Sequence, residues 1–249
     1  MLNHAAVEYD PQDAPLPRQA CARYGISFTP KPNTALAAFS RSWFGYAGGG
    51  STLHAFSGAG LSTHGGAKVP AMPGSYPGLH AMLKAPFALR PGKGPDALRS
   101  RLKSFAKRRK PVATGPLTLT REGRYLVLRA EQVDPALDWL AAQCVSGFDG
   151  FADDRQPVQP NERDVRTLNP YQRLLLESFG DANVMSEFRF CLRLTGPMEP
   201  AQIEQVAEAL APVLEHICSE GIEIDALSLL GDPGGRSPLR LLKRYPLGG

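Results

Sequence analysis

Leu79-His80-Ala81-Met82-Leu83-Lys84-Ala85-Pro86-Phe87 decides how this chain is read, because a second stretch follows the same plan. Phe190-Cys191-Leu192-Arg193-Leu194-Thr195-Gly196-Pro197-Met198 aligns with it without a gap, about 110 residues later. Each reads as an apolar-flanked strand that ends at a proline, and a helical pattern follows each. Residues 95–110 carry Leu98, Leu102 and Phe105 at helical spacing, with Arg and Lys on the other faces. Residues 199–218 set Ile203, Val206, Ala207, Leu210, Val213, Leu214 and Ile217 along one stripe. A strand-and-helix unit that occurs twice predicts a duplicated half-domain.

The surrounding elements fit that plan. Residues 24–29 alternate as a strand closed by Pro30 and Pro32, and Thr34 is placed to cap a short helix through Phe39 towards Trp43. Residues 48–66, rich in Gly, Ser, Thr and Ala, read as a loop holding His54 and His64. Residues 117–120 and 125–129 are two β-like runs about Arg121-Glu122-Gly123-Arg124, the pattern of a hairpin. Asp134 followed by Pro135 opens a helix through Leu137, Leu140 and Cys144. A polar connection over 151–170 leads to a helix at 171–179 that Gly180 ends. Residues 187–195 alternate as the clearest strand of the second half. Strands at 222–230 and 239–245 close the chain about a Gly-Asp-Pro-Gly-Gly turn. Interspersed helices, strands and hairpins predict an α+β protein with largely antiparallel sheets. Residues 1–22 read as a lead-in and 23–249 as a single domain.

Composition narrows the function classes. The chain has 249 residues, 43% of them hydrophobic, so a sizeable core can form. Twenty-eight Lys and Arg against 24 Asp and Glu give a net charge of +4. That balance suits a phosphate-bearing ligand and is too small to argue for nucleic acid. The basic run from Arg99 to Lys110 carries no aromatic ladder between its basic residues and reads first as a solvated helix face. No apolar run is long enough to span a bilayer. The opening MLNHAAVEYDPQDAP has neither part of a secretory signal. Cys21, Cys144, Cys191 and Cys218 lie far apart with no C-x-x-C pair, so a cytoplasmic, reducing location is expected and no zinc site is written. His54 and His64 have no third ligand at metal spacing. Gly58-Ala59-Gly60 fails the dinucleotide fingerprint at Thr63. No cofactor and no metal are expected.

In this order along the chain, Tyr24-Gly25-Ile26-Ser27-Phe28-Thr29-Pro30, Ser42-Trp43-Phe44-Gly45, 80–87, Glu187-Phe188-Arg189-Phe190, Leu194-Thr195-Gly196-Pro197 and Leu241-Leu242-Lys243-Arg244-Tyr245-Pro246-Leu247-Gly248 form a pattern. That pattern resembles the 2H phosphoesterase superfamily, which includes 2′,5′-RNA ligase-like proteins and cyclic nucleotide phosphodiesterases. It is most similar to an uncharacterised branch linked to phosphonate metabolism. The resemblance implies a bilobal fold with two related lobes about a cleft. Each lobe supplies a strand with His-x-Thr or His-x-Ser. Residues i and i+2 of a strand share a face, so each motif offers an imidazole and a hydroxyl to the cleft. One His acts as base on the attacking hydroxyl, the other as acid on the leaving oxygen. The hydroxyls hold phosphate oxygens and no metal is needed.

This chain departs from that motif pair. His80 is kept, but Met82 stands at the first hydroxyl position, Cys191 at the second His and Arg193 at the second hydroxyl. Tyr46 replaces an Arg usual in the branch, and Gly180-Asp181-Ala182-Asn183-Val184 replaces Gly-Tyr-Pro-Tyr-Val. A general acid or base contributes about 10²–10⁴ in rate, so a catalytically impaired site is expected. Cys191 also fits a plain core residue and Met82 plain packing. Arg193 offers a charged fork to a phosphate or carboxylate, or an ion-pair partner to an acid. Lys84, Thr195, Arg189 and Tyr24 are the further ligand-contact candidates, with strand-end surface positions or an ion pair as the plainer readings of the first three.

The expected function is therefore a divergent 2H-like protein that binds a phosphorylated small molecule or nucleotide, or serves a partner protein of a phosphonate or phosphoester pathway. An active metal-independent cyclic phosphodiesterase using His80 is the alternative, and an RNA-binding module comes last.

Overall fold

The computed structural model describes residues 21–44, 78–130, 132, 134–153, 162–235 and 239–249. The lead-in over 1–20, the glycine-rich loop with His54 and His64, the Gly45 and Tyr46 positions and most of the connection after Asp153 lie outside the described residues.

Within them the chain is α+β. In order it runs β1 (Arg23–Phe28), α1 (Ala35–Phe44), β2 (Ala81–Phe87), α2 (Pro95–Ala106), β3 (Val112–Ala113), β4 (Leu117–Glu122) and β5 (Tyr125–Ala130). Then follow α3 (Pro135–Phe148), α4 (Glu162–Thr167), α5 (Pro170–Phe179), β6 (Cys191–Arg193), α6 (Pro200–Cys218), β7 (Glu223–Ile224), β8 (Ala226–Asp232) and β9 (Arg240–Pro246). All pairings are antiparallel: a four-stranded sheet of order β2-β1-β8-β9, a three-stranded sheet β4-β5-β6, and the small pair β3-β7. Each of the two repeated stretches thus supplies an edge strand to its own sheet, the arrangement compatible with two lobes. Among the described residues no helix is long and apolar enough to cross a membrane.

Local chemistry accounts for the boundaries. Thr34 Oγ1 accepts from the Ala37 amide at 3.3 Å and starts α1. Asp134 accepts from the Ala136 amide at 2.8 Å, with Pro135 as the first residue of α3. Asn169 and Gln172 form a reciprocal capping box on α5, which Gly180 ends in the left-handed region. Pro86 is tolerated because β2 is an edge strand, where one amide faces no neighbour.

Three expectations change. The strand over 187–195 shrinks to β6, because Met185–Glu187 forms a tight 3-10 turn and Arg189 folds its guanidinium back onto the Ser186 and Phe188 carbonyls, at 2.9 and 2.6 Å. The strand over 222–230 is broken at Asp225 into β7 and β8, with the Asp225 carbonyl turned to accept from the Leu247 amide. The connection over 151–170 contains a helix of its own, α4.

The helices bury the apolar sheet faces. Helix α2 packs on β8 and β9, α3 on β2, and α6 on β4 and β5. Leu98, Leu102 and Phe105 of α2 and Leu210 and Leu214 of α6 belong to one continuous core. That core also joins the sheets. Phe28 and Phe190 lie with ring centroids 6.1 Å apart, and the Trp43 indole donates to the Leu194 carbonyl at 2.7 Å. Strands β2 and β6 pack side by side across this junction.

Candidate functional site

His80 is positioned by a turn that only glycine enters easily. Gly78 has φ +92°, and a Cβ there would meet Ser40 Oγ at 2.8 Å. Ser40 Oγ accepts from the Leu79 amide at 2.8 Å, and the Gly78 carbonyl faces the imidazole, 2.9 Å from Nδ1. A carbonyl only accepts, so Nδ1 carries the proton and the lone pair sits on Nε2. His80 is buried. Burial, and secondarily the positive charge of Arg193, hold it below the usual imidazole value, outweighing the Gly78 bond. At neutral pH it is a neutral base with Nε2 as acceptor.

Arg193, on the other sheet, is near enough for its charge to act on this histidine. It extends from β6, opposite Val127 of β5, and its guanidinium carbon lies 4.5 Å from the centroid of the Tyr125 ring. Among the described residues no carboxylate pairs with it. Two positions earlier on the same face, Cys191 stands opposite Arg129. Arg129 is paired with Glu122 of β4. Burial pushes the Cys191 thiol up, against the opposing pull of Arg129 and Arg193, so the sulfur stays protonated at neutral pH. The three-stranded sheet therefore presents Tyr125, Arg129, Cys191 and Arg193 on one face, and the Arg193 charge acts on His80.

The other sequence candidates are dispersed. Met82 shares the site face: it stands opposite Ser27, and its ε-methyl would lie 2.9 Å from a Cβ on Gly25. Lys84 does not. The β1–β2 register pairs Ser27 with Met82 and Ile26 with Lys84, so Leu83 is an extra residue that reverses which face the following residues take. The Lys84 ammonium is buried against α3, 3.7 Å from Asp149 and near Asp181, and burial lowers its pKa despite both carboxylates. Tyr24 alternates with Gly25 and Ser27, and so lies on the opposite, helix-covered face beside Cys21 and in reach of the Asp96 charge. The Thr195 hydroxyl accepts from the Leu126 amide at 3.0 Å and extends the β5–β6 ladder. Arg189, on the carbonyls described above, stands outside β6.

Reading the sequence missed four residues. Ser27, Thr29, Ser228 and Arg244 are buried on the Met82 face of the four-stranded sheet. A hydroxyl at the centre of an apolar run (Ile26-Ser27-Phe28, Leu227-Ser228-Leu229) was the available signal. One surface cavity, of about 330 Å³, is lined by Lys103, Lys107, Lys243 and Arg244, and another, of about 370 Å³, lies around Trp139 and Met185. Among the described residues no group of three or more His, Cys, Asp or Glu could hold a metal ion.

With this geometry in place, two similarities bear on it. The profile of a family described as "protein of unknown function (DUF1045)" matches residues 82–240, more than half of the chain; the match begins two residues after His80 and includes β6. A relative from Janthinobacterium sp. (strain Marseille), called ribose 1,5-bisphosphate phosphokinase PhnN, is 25% identical over 179 residues, which is 69% of this chain and 39% of the relative. The matched stretch thus spans about two-fifths of the curated relative.

Proposed function

This chain belongs to the DUF1045 family, and on that premise we propose that it binds a phosphorylated small molecule between His80 and Arg193, in a site that retains the 2H phosphoesterase frame with most of its catalytic groups replaced. The observation that carries this reading is that β2 and β6, edge strands of two different sheets, come together, with the buried neutral His80 just before β2 and within the influence of Arg193 of β6, which has no carboxylate partner among the described residues. A guanidinium beside a neutral imidazole favours a multiply charged oxyanion, which Arg can grip through two parallel N–H donors. Turnover in the 2H manner needs a second proton carrier. Cys191 holds its proton too tightly to exchange it readily near pH 7, and neither Met82 nor Arg193 supplies the motif hydroxyl. The name of the Janthinobacterium relative supports sugar phosphates as the ligand class and an accessory place in phosphonate metabolism, beside a partner enzyme of that pathway.

Titration calorimetry with ribose 5-phosphate and with a 2′,3′-cyclic nucleotide tests this. Binding that weakens by roughly tenfold in Arg193→Ala supports the site. Absence of binding in the unmodified protein removes the reading.

The Nε2 lone pair of His80 favours one second reading, a metal-independent cyclic phosphodiesterase. Hydrolysis of the cyclic nucleotide that disappears in His80→Asn would establish it in place of the non-catalytic one.

A further inference from the structure

We propose that Ser27, Ser228 and Arg244 form a second oxyanion-binding position on the same sheet face as His80 and Met82, so that the ligand carries two anionic groups. This deepens the reading above and rests on it for the first of the two groups.

The position is built by register. Met82, Ser27, Ser228 and Arg244 are successive cross-strand partners and form one row across β2, β1, β8 and β9. Ser27 is 0% exposed and Arg244 9% exposed. Neither Ser27 Oγ nor Arg244 Nε has a hydrogen-bond partner among the described residues. Leaving a buried polar group unpaired costs about 1–3 kcal/mol, and here two flank the same residue, Ser228.

The remaining bonds show what kind of group fits. Arg244 donates through one terminal nitrogen to Asp225 Oδ1 at 2.7 Å and to the Thr29 carbonyl at 3.3 Å. Thr29 follows β1 while Arg244 starts from β9, so the guanidinium crosses β8, over a row where Ala226 leaves space. Asp225 fixes the fork at that nitrogen and leaves Nε for another acceptor. Thr29 Oγ1 and Ser228 Oγ lie 2.7 Å apart and share one proton in that bond, so the second hydroxyl proton is available to a third group. Ser27 Oγ–H, Arg244 Nε–H and the spare hydroxyl proton are all donors. Three donors on one sheet face, one on a permanent cation, select an acceptor with several lone pairs and negative charge: a phosphate or a carboxylate. The flexible thioether of Met82, at the end of the row next to His80, is the side chain that yields to admit it.

Calorimetry with ribose 5-phosphate and ribose 1,5-bisphosphate on the full chain tests the proposal. The bisphosphate is expected to bind about tenfold more tightly than the monophosphate. Ser27→Ala is expected to bring that ratio to about twofold or less while leaving the monophosphate affinity in place. Arg244→Lys, which keeps the charge and the Asp225 pair but loses Nε, is expected to do the same. An unchanged ratio in both variants overturns the second position. Arg193→Ala separates the two readings: weakened binding of both sugars supports the first site whatever Ser27→Ala does, and undiminished binding of both removes the first site alone. A crystal soaked in tungstate adds a direct view. Anomalous density between Ser27 and Arg244 supports the position, and an ordered water held there in place of the anion overturns it.

Discussion

Met82 and Lys84 leave the same strand on opposite faces, although they stand two residues apart. In a regular strand they would share a face; the extra residue Leu83 breaks the alternation. The consequence is a division of labour along β2. Met82 stays beside His80 and the buried hydroxyls, and Lys84 becomes a structural cation under α3, at the helix end where the backbone dipole is negative.

Lys84 is therefore expected to matter for stability and not for binding. Lys84→Ala leaves Asp181 and Asp149 facing a void and should cost about 1–3 kcal/mol, a figure reduced for the partial exposure of Asp149. Lys84→Met keeps the volume and should lose less. Urea denaturation measures both; a fall in sugar-phosphate affinity in a folded Lys84→Met would contradict the assignment.

His80 makes the fold sensitive to acid. Its folded-state value lies below the ordinary 6.5, so between those two values the unfolded chain binds the extra proton. Stability contributed by the neutral ring is complete above pH 6.5 and is lost as the pH falls towards the depressed value. The slope is at most about 1.4 kcal/mol per pH unit. His80→Asn can still donate to the Gly78 carbonyl but does not titrate. Comparing denaturation of both proteins at pH 7.5 and 5.5 should show a smaller loss in the variant, and equal losses would refute the buried neutral ring.

Much of the fold was legible because it is written in local chemistry. The Asp134-Pro135 start, the Gly180 stop, the hairpin about Gly123 and the stripe of α6 each depend on residues within a turn or two of one another. The site was legible only in part. The approach of His80 to Arg193 follows from two motifs the sequence displays. The bulge at Leu83, the brevity of β6 and the row through Ser27, Ser228 and Arg244 depend on register between strands far apart in the chain, which no local pattern encodes. Ser27 and Ser228 look like incidental small residues until β1 and β8 are paired.

Cys191 should be a slow nucleophile. With its thiol raised by burial above the ordinary 9.0, little thiolate exists at pH 7. Alkylation by iodoacetamide, followed by mass spectrometry, should be slower than that of a free cysteine and should quicken as the pH passes 9. Rapid labelling at pH 7 would instead mark an activated sulfur.

One glycine closes the small sheet. Gly221 has φ +78°, and a Cβ there would lie 2.0 Å from the Gly115 carbonyl oxygen. Backbone cannot swing aside as a side-chain tip can, so Gly221→Ala should lose more than about 2 kcal/mol and disturb the β3–β7 pair. Thermal unfolding reads this, and a variant melting with the parent would refute the contact.

The order β2-β1-β8-β9 also constrains how the molecule is born. A ribosome releases β1 some two hundred residues before the neighbour that fills its second side, β8. Until then the nascent chain exposes an unfilled strand edge, and the arginine that reaches across to Thr29 follows later still. A nascent chain halted before Ala226 would hold both His80 and Arg193 and still lack β8, the second neighbour of the β1 strand on which β2 is aligned.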